Sequence, residues 1–190
     1  MATTEKASPR DRLLDAAAQL FYREGVSIGV ETLCRTAGVS KRSMYQLFDS
    51  KDEVLAASLE ERIGWYEALF TPADPDACTP RERILHVFER LAEVSADPGY
   101  HGCPYLAVLV ELKNPDHPAS VVARGVKDRL REVFRTQAER GSARDPGLLA
   151  RQLMLVYDGA GARSGARVEH LDDGLAATTA AALLDAAGLA

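Results

Sequence analysis

No stretch of this 190-residue chain is apolar over the roughly 18 residues that a bilayer span requires, so no membrane partner is expected. The opening residues, MATTEKASPRDR, lack the apolar core of a secretory signal. Cysteine is scarce. Cys34, Cys78 and Cys103 are odd in number and far apart, with no metal-ligand spacing, so a reduced, cytoplasmic protein without a bound metal is expected. The sequence also has no β-type alternating run of useful length, no Gly-rich phosphate loop and no G-x-S-x-G turn. These absences argue against an enzyme or a cofactor and leave an all-α fold.

Hydrophobic residues make up 46% and charged residues 27% of the chain, a balance that suits a folded protein. The net charge of −5 at first argues against a nucleic-acid partner, but it is unevenly spread. Residues 1–53 hold eight Lys/Arg and eight Asp/Glu, so the whole deficit lies in 54–190. Lys41 and Arg42 have no acid near them in sequence until Asp49, which leaves that segment locally basic.

The stretch from Arg12 to Ala56 carries the most information. Leu13, Ala17, Leu20 and Phe21 fall on one helical face, with Pro9 and Ser8 opening the helix and Gly25 closing it. A short second helix spans roughly Val30 to Thr36. Gly38 then supplies a tight turn, Val39 an apolar plug, and Ser40 the N-cap of a third helix of about eight residues. Two short helices joined by a Gly-containing turn form a helix-turn-helix, whose second helix enters the DNA major groove. Lys6 and Arg10 are available for phosphate.

The run AGVSKRSMYQLFDSKDEVL resembles the N-terminal signature of TetR-type transcriptional regulators, AGVS-x-x-(S/T)-(L/M)-Y-x-x-F-x-(S/N)-K-x-x-L. Ala37, Gly38, Val39, Ser40, Ser43, Met44, Tyr45, Phe48, Ser50, Lys51 and Leu55 carry the match. The resemblance implies a helix-turn-helix domain over 1–53 and a helical regulatory and dimerisation domain over 54–190, about nine helices in all. Within the headpiece it points to Ser40, Lys41, Arg42, Ser43, Tyr45, Gln46 and Lys51 as DNA-contacting. Arg42 suits guanine, Gln46 adenine, and Lys51 a phosphate; Met44, Phe48 and Cys34 read as core. Leu47 stands where many relatives have His, Arg42 where many have Gly or Pro, and Gly29 where Thr is usual. These departures bear on which operator is read.

Beyond the headpiece the helical pattern continues. A helix from Asp49 to Phe70 shows the stripe Leu55, Leu59, Ile63, Tyr66 and Phe70, and the proline-rich TPADPDACTP ends it. Thr79-Pro80 opens the next helix. Residues 103–112 are apolar nearly all round, which predicts burial on most sides. A further helix carries Val122, Val126, Leu130 and Val133, and Asp145-Pro146 caps another over about 146–163. The last helix, about 169–187, shows Leu171, Leu175, Thr179, Ala182, Leu183 and Ala186. The resemblance implies that these last two helices pair two copies into a homodimer on a palindromic operator.

The resemblance further implies a small-molecule effector that releases a repressor from DNA by swinging the 49–70 helix. Candidate ligand residues are Trp65, Tyr66, Phe70, His101, Cys103, Tyr105, Phe134, Met154, Tyr157 and Asp158. Each has an alternative as plain core, and Cys103 reads either as a redox sensor or as a structural thiol. His117 reads as a helix-start feature. The competing function is a helical adaptor without specific DNA binding, which need not keep Lys41, Arg42, Tyr45 and Lys51 together.

Overall fold

Many helix starts in this chain are set by a short polar cap, in several cases followed by proline, as the computed structural model, which describes residues 7–189, shows. Lys6 lies outside the described residues. Ser8 caps α1 (Pro9–Glu24) in a reciprocal box with Asp11, both bonds 3.2 Å. Ser40 and Ser50 cap α3 (Lys41–Leu47) and α4 (Lys51–Glu61). Thr79 and Glu82 form the same box at α6 (Pro80–Ser95), and Asp145 accepts from Leu148 N at α9 (Pro146–Gly165). His117 caps α8 (Pro118–Arg140), its Nδ1 accepting from Ala119 N at 3.1 Å. The remaining helices are α2 (Val30–Ala37), α5 (Ile63–Leu69), α7 (Pro104–Leu112) and α10 (Leu175–Ala187), with a 3-10 turn at Pro75–Ala77. No strand occurs among the described residues.

The single helix expected over 49–70 is interrupted at Arg62, whose N–H bonds to Leu59 O at 3.2 Å instead of continuing the regular ladder. Counted as one, α4 and α5 leave nine α-helices among the described residues, in line with the about nine expected. The inward stripe survives the break, with Leu55, Leu59, Tyr66 and Phe70 all buried.

The described residues form two units. One runs up to Arg62 and takes in 107–124; the other comprises 63–106 and 125–190. Leu13, Leu14, Ala17, Leu33, Met44, Val54 and Leu55 make the core of the first. The second is built on Ile84, Phe88, Leu91, Phe134, Leu149, Leu153, Tyr157 and Leu184, with Phe88 and Phe134 stacked 5.7 Å apart.

Three faces differ from expectation. In α7, Val110 is 61% exposed and Ala107 is open as well, so an apolar sequence does not mean burial on most sides. In α8 the buried line runs through Ala123, Val126 and Phe134 to Ala138, while Val133 stays exposed. In α10 the helix begins at Leu175, six residues later than expected, and buries Ala176, Ala180 and Leu184. Leu175, Thr179, Ala182 and Ala186 face out. Alanine on every side removes the polar contrast that would orient such a helix.

Within the second unit, α9 is crossed by the backbone before α7. A Cβ on Gly165 would lie 2.7 Å from Gly102 Cα and 2.5 Å from the His101 carbonyl carbon, and one on Gly161 3.1 Å from Tyr100 Oη. Only glycine allows this approach. Gly102 itself has φ +97°.

Candidate nucleic-acid interface

The turn between α2 and α3 follows from Gly38, whose φ of +63° closes α2 in the left-handed region. Val39 N then bonds back to Cys34 O at 3.0 Å. Ser40 reverses the chain into α3 by accepting from Ser43 N at 3.0 Å, and the two hydroxyls lie 2.8 Å apart. Met44 seats α3 against α2; it is fully buried, with its Sδ 3.8 Å from Cys34 Sγ. Phe48 closes the far end under the Arg10 guanidinium, 5.8 Å above the ring. Arg12, absent from the sequence-predicted set, pins the turn to α1 by donating to Ala37 O at 3.2 Å and Gly38 O at 3.4 Å. Nothing in the sequence marked it, since its helical neighbours at i+3 and i+7 are the polar Asp15 and Gln19.

With Met44 inward, α3 turns Lys41, Arg42, Tyr45 and Gln46 outward, all exposed, and leaves Ser43 half-buried. Arg42 makes no ion pair among the described residues. Lys41 is less isolated than its sequence neighbours imply, because Glu31 on α2 meets its ammonium at 2.7 Å. That hydrogen bond pulls the Glu31 carboxyl below and pushes the Lys41 ammonium above their ordinary ranges. Both groups are exposed, so the pair adds little stability. Lys51, expected at a phosphate, also holds the headpiece together. Its Nζ braces the α1–α2 turn, donating to Val26 O at 2.9 Å and Ile28 O at 3.1 Å. Gly29 offers α2 no side-chain cap.

In the second unit, five of the ten ligand candidates meet. Tyr66 Oη lies 2.6 Å from Tyr157 Oη and 3.2 Å from Cys103 Sγ. The Tyr66 ring meets Tyr105 and Phe70 edge-on at 4.8 and 5.2 Å, and Phe70 meets Tyr157 at 5.6 Å. Phe134 joins through Phe88, and Asp158 pairs with Lys127, whose Nζ lies 4.8 Å from the Tyr157 ring centre. Trp65 and His101 are exposed. Met154 instead lines an open groove of about 320 Å³ with Lys127, Arg131, Leu148, Arg151, Gln152 and Leu155. The Cys103 thiol is buried against a phenol, not an accessible cationic setting, which weighs toward a structural role. No cluster of three or more metal-ligating side chains occurs among the described residues.

Burial pushes both the Tyr66 and Tyr157 phenols well above their ordinary range, so they stay protonated. Because the folded values are raised, their contribution is complete below the unfolded pKa of about 10 and is lost as pH rises beyond it. Alkaline titration followed by tyrosinate absorbance should therefore show these two phenols ionising only as the helical dichroism collapses. Ionisation of all six tyrosines before any loss of helix would contradict the packing.

A family model described as bacterial regulatory proteins, tetR family, matches residues 13–58. The chain is 58% identical to a protein of Streptomyces avermitilis whose crystal structure is described as a tetR transcriptional regulator. That similarity covers 97% of this chain and 100% of the other, with a TM-score of 0.93. A TetR-family transcriptional regulator of Streptomyces coelicolor, SCO4454, shares the fold at TM-score 0.79 and 23% identity over 94% and 93% of the two chains. Among curated proteins, the uncharacterized HTH-type transcriptional regulator Rv1255c of Mycobacterium tuberculosis is 33% identical over 92 residues, 45% of this chain and 46% of that protein. The chain thus spans about half the length of such curated relatives.

Proposed function

The chain belongs to the tetR family of bacterial regulatory proteins, transcriptional regulators rather than enzymes, and from that premise we propose that it is a repressor. In this proposal it binds a palindromic operator as a homodimer and leaves it when a small molecule binds the second unit. The supporting observation is the seating of α3: Met44 is fully buried beneath it while Arg42, Tyr45 and Gln46 stand exposed on its outer side. Arg42 is the cation best suited to reading a guanine, since Lys41 is shared with Glu31 and Lys51 with two carbonyls.

Dimerisation through α9 and α10 gains support from apolar side chains left uncovered on those helices, Leu148, Leu155 and Leu175, with Leu155 75% exposed. A two-fold pair would cover the same face on each copy and match the symmetry of a palindrome. The aromatic group around Tyr66 and Tyr157 is the proposed effector region, where two hydroxyls and a thiol meet among apolar rings.

The test is a gel shift of the purified chain with the intergenic DNA beside its own gene, across a salt series. Specific binding to a palindrome, weakening steeply with salt, is the expected result. Arg42→Ala should weaken the specific complex by roughly 1–3 kcal/mol, about fivefold to a hundredfold or more, while changing binding to unrelated duplex far less. An equal loss on both duplexes would reduce Arg42 to a phosphate contact. Failure of the wild-type chain on every upstream fragment would sink self-regulation and favour the adaptor function.

A further inference from the structure

Two opposite charges grip a single residue of the α1–α2 turn. Val26 donates its backbone N–H to Glu111 Oε1 at 2.9 Å, and its carbonyl accepts from Lys51 Nζ at 2.9 Å. Glu111 lies on α7, 85 positions along the chain from Val26, and outside every motif of the headpiece. It comes close enough to dictate its neighbour: a Cβ on Gly25 would meet the two carboxylate oxygens at 2.8 and 2.9 Å. A second tie joins the same two stretches, His117 Nε2 to Asp52 Oδ2 at 3.2 Å.

We infer that Glu111 is a positioning residue for DNA binding, fixing the α1–α2 turn and thereby the seat of α2 and α3. The inference rests on the DNA-binding function proposed above. Gly25 has φ +85°, where glycine has wide conformational freedom, so the turn does not hold itself. An acceptor from outside the turn selects one geometry by satisfying the Val26 N–H. The helix starting at Val30 follows directly, and any change in the turn is carried into it as a rotation. Glu111 is exposed, so its bond contributes little to global stability. Its effect falls on orientation.

The test uses the full chain and the duplex that the wild-type protein enriches from a random-sequence library. Glu111→Ala should lose hydrogen-exchange protection at the Val26 amide and bind that duplex about two- to fivefold more weakly, the range open to one exposed charged contact. Its melting temperature should barely move. Glu111→Gln keeps an acceptor oxygen and should restore most of both protection and affinity. Gly25→Ala should cost less affinity in the Glu111→Ala background than in the wild type, because the clash with the carboxylate is gone. Wild-type affinity in Glu111→Ala, or a loss that Glu111→Gln does not restore, overturns the role. A wild-type chain that enriches no duplex removes DNA binding itself and this role with it, a result distinct from any variant's behaviour.

Discussion

Met44→Asp should abolish specific DNA binding. The side chain at 44 is wholly buried between α3 and α2, where the Cys34 thiol, a weak donor, lies beside it. An unpaired buried charge costs several kcal/mol whether it stays ionised or takes up a proton, and roughly 3–5 kcal/mol is expected here. The helices it would have to hold, α2 and α3, have only eight and seven residues. Helices that short do not persist on local hydrogen bonding; packing keeps them. Circular dichroism should show a loss of helix and a gel shift no specific complex, whereas Met44→Leu, similar in volume, should cost under about 1.5 kcal/mol and still bind. If Met44→Asp bound as well as the wild type, α3 would have to be seated the other way, and Arg42 and Gln46 would not face out.

Gly165→Ala should be the most damaging of the conservative changes in the second unit. Helix propensity alone favours alanine over glycine by about 1 kcal/mol, so an isolated helix would gain. Here the added methyl would enter the backbone at His101 and Gly102, which cannot swing aside as a long side chain can. About 3 kcal/mol of destabilisation is expected from such overpacking, a fall in melting temperature of roughly 6–12 °C for a chain of this size. Gly159→Ala is the matched control, because nothing lies within 4 Å of its Cβ position and propensity should prevail. A stabilised Gly165→Ala variant would show that the loop does not cross α9 at that point. The strain also has a local target: Cys103 follows Gly102 directly and carries one of the two contacts at the Tyr66 hydroxyl.

The two ends of the chain were unequally legible. Ser8-Pro9, Ser40, Ser50, Thr79-Pro80 and Asp145-Pro146 announce helix starts because a cap is a local event, decided by side-chain reach over three or four residues. The inward placement of Met44 follows from periodicity in the same way. What sequence order hides is charge pairing across the fold. Lys41 reads as isolated until Glu31 is seen beside it, and nothing in the order of residues announces that Lys51 reaches the Val26 and Ile28 carbonyls. The α10 face was illegible for another reason, since a helix of alanine and leucine offers no polar side to mark its outside. Val133 and Phe134 show a third: adjacent apolar residues compete for one inward slot, and the larger ring takes it.

The first unit is stitched from two separated stretches, the part ending at Arg62 and residues 107–124. On the ribosome the helix-turn-helix therefore emerges well before the carboxylate that meets Val26. The nascent segment can form α1 and attempt α2 and α3 with Lys51 on their turn, but the acceptor for the Val26 N–H waits for α7 to be translated. Closing so long an intervening loop costs only slightly more than closing a short one, since the entropy grows as the logarithm of length. The delay is thus set by the pace of synthesis rather than by a free-energy penalty. A fragment cut at the end of the recognisable motif would reproduce the same immature state permanently, with water in place of Glu111.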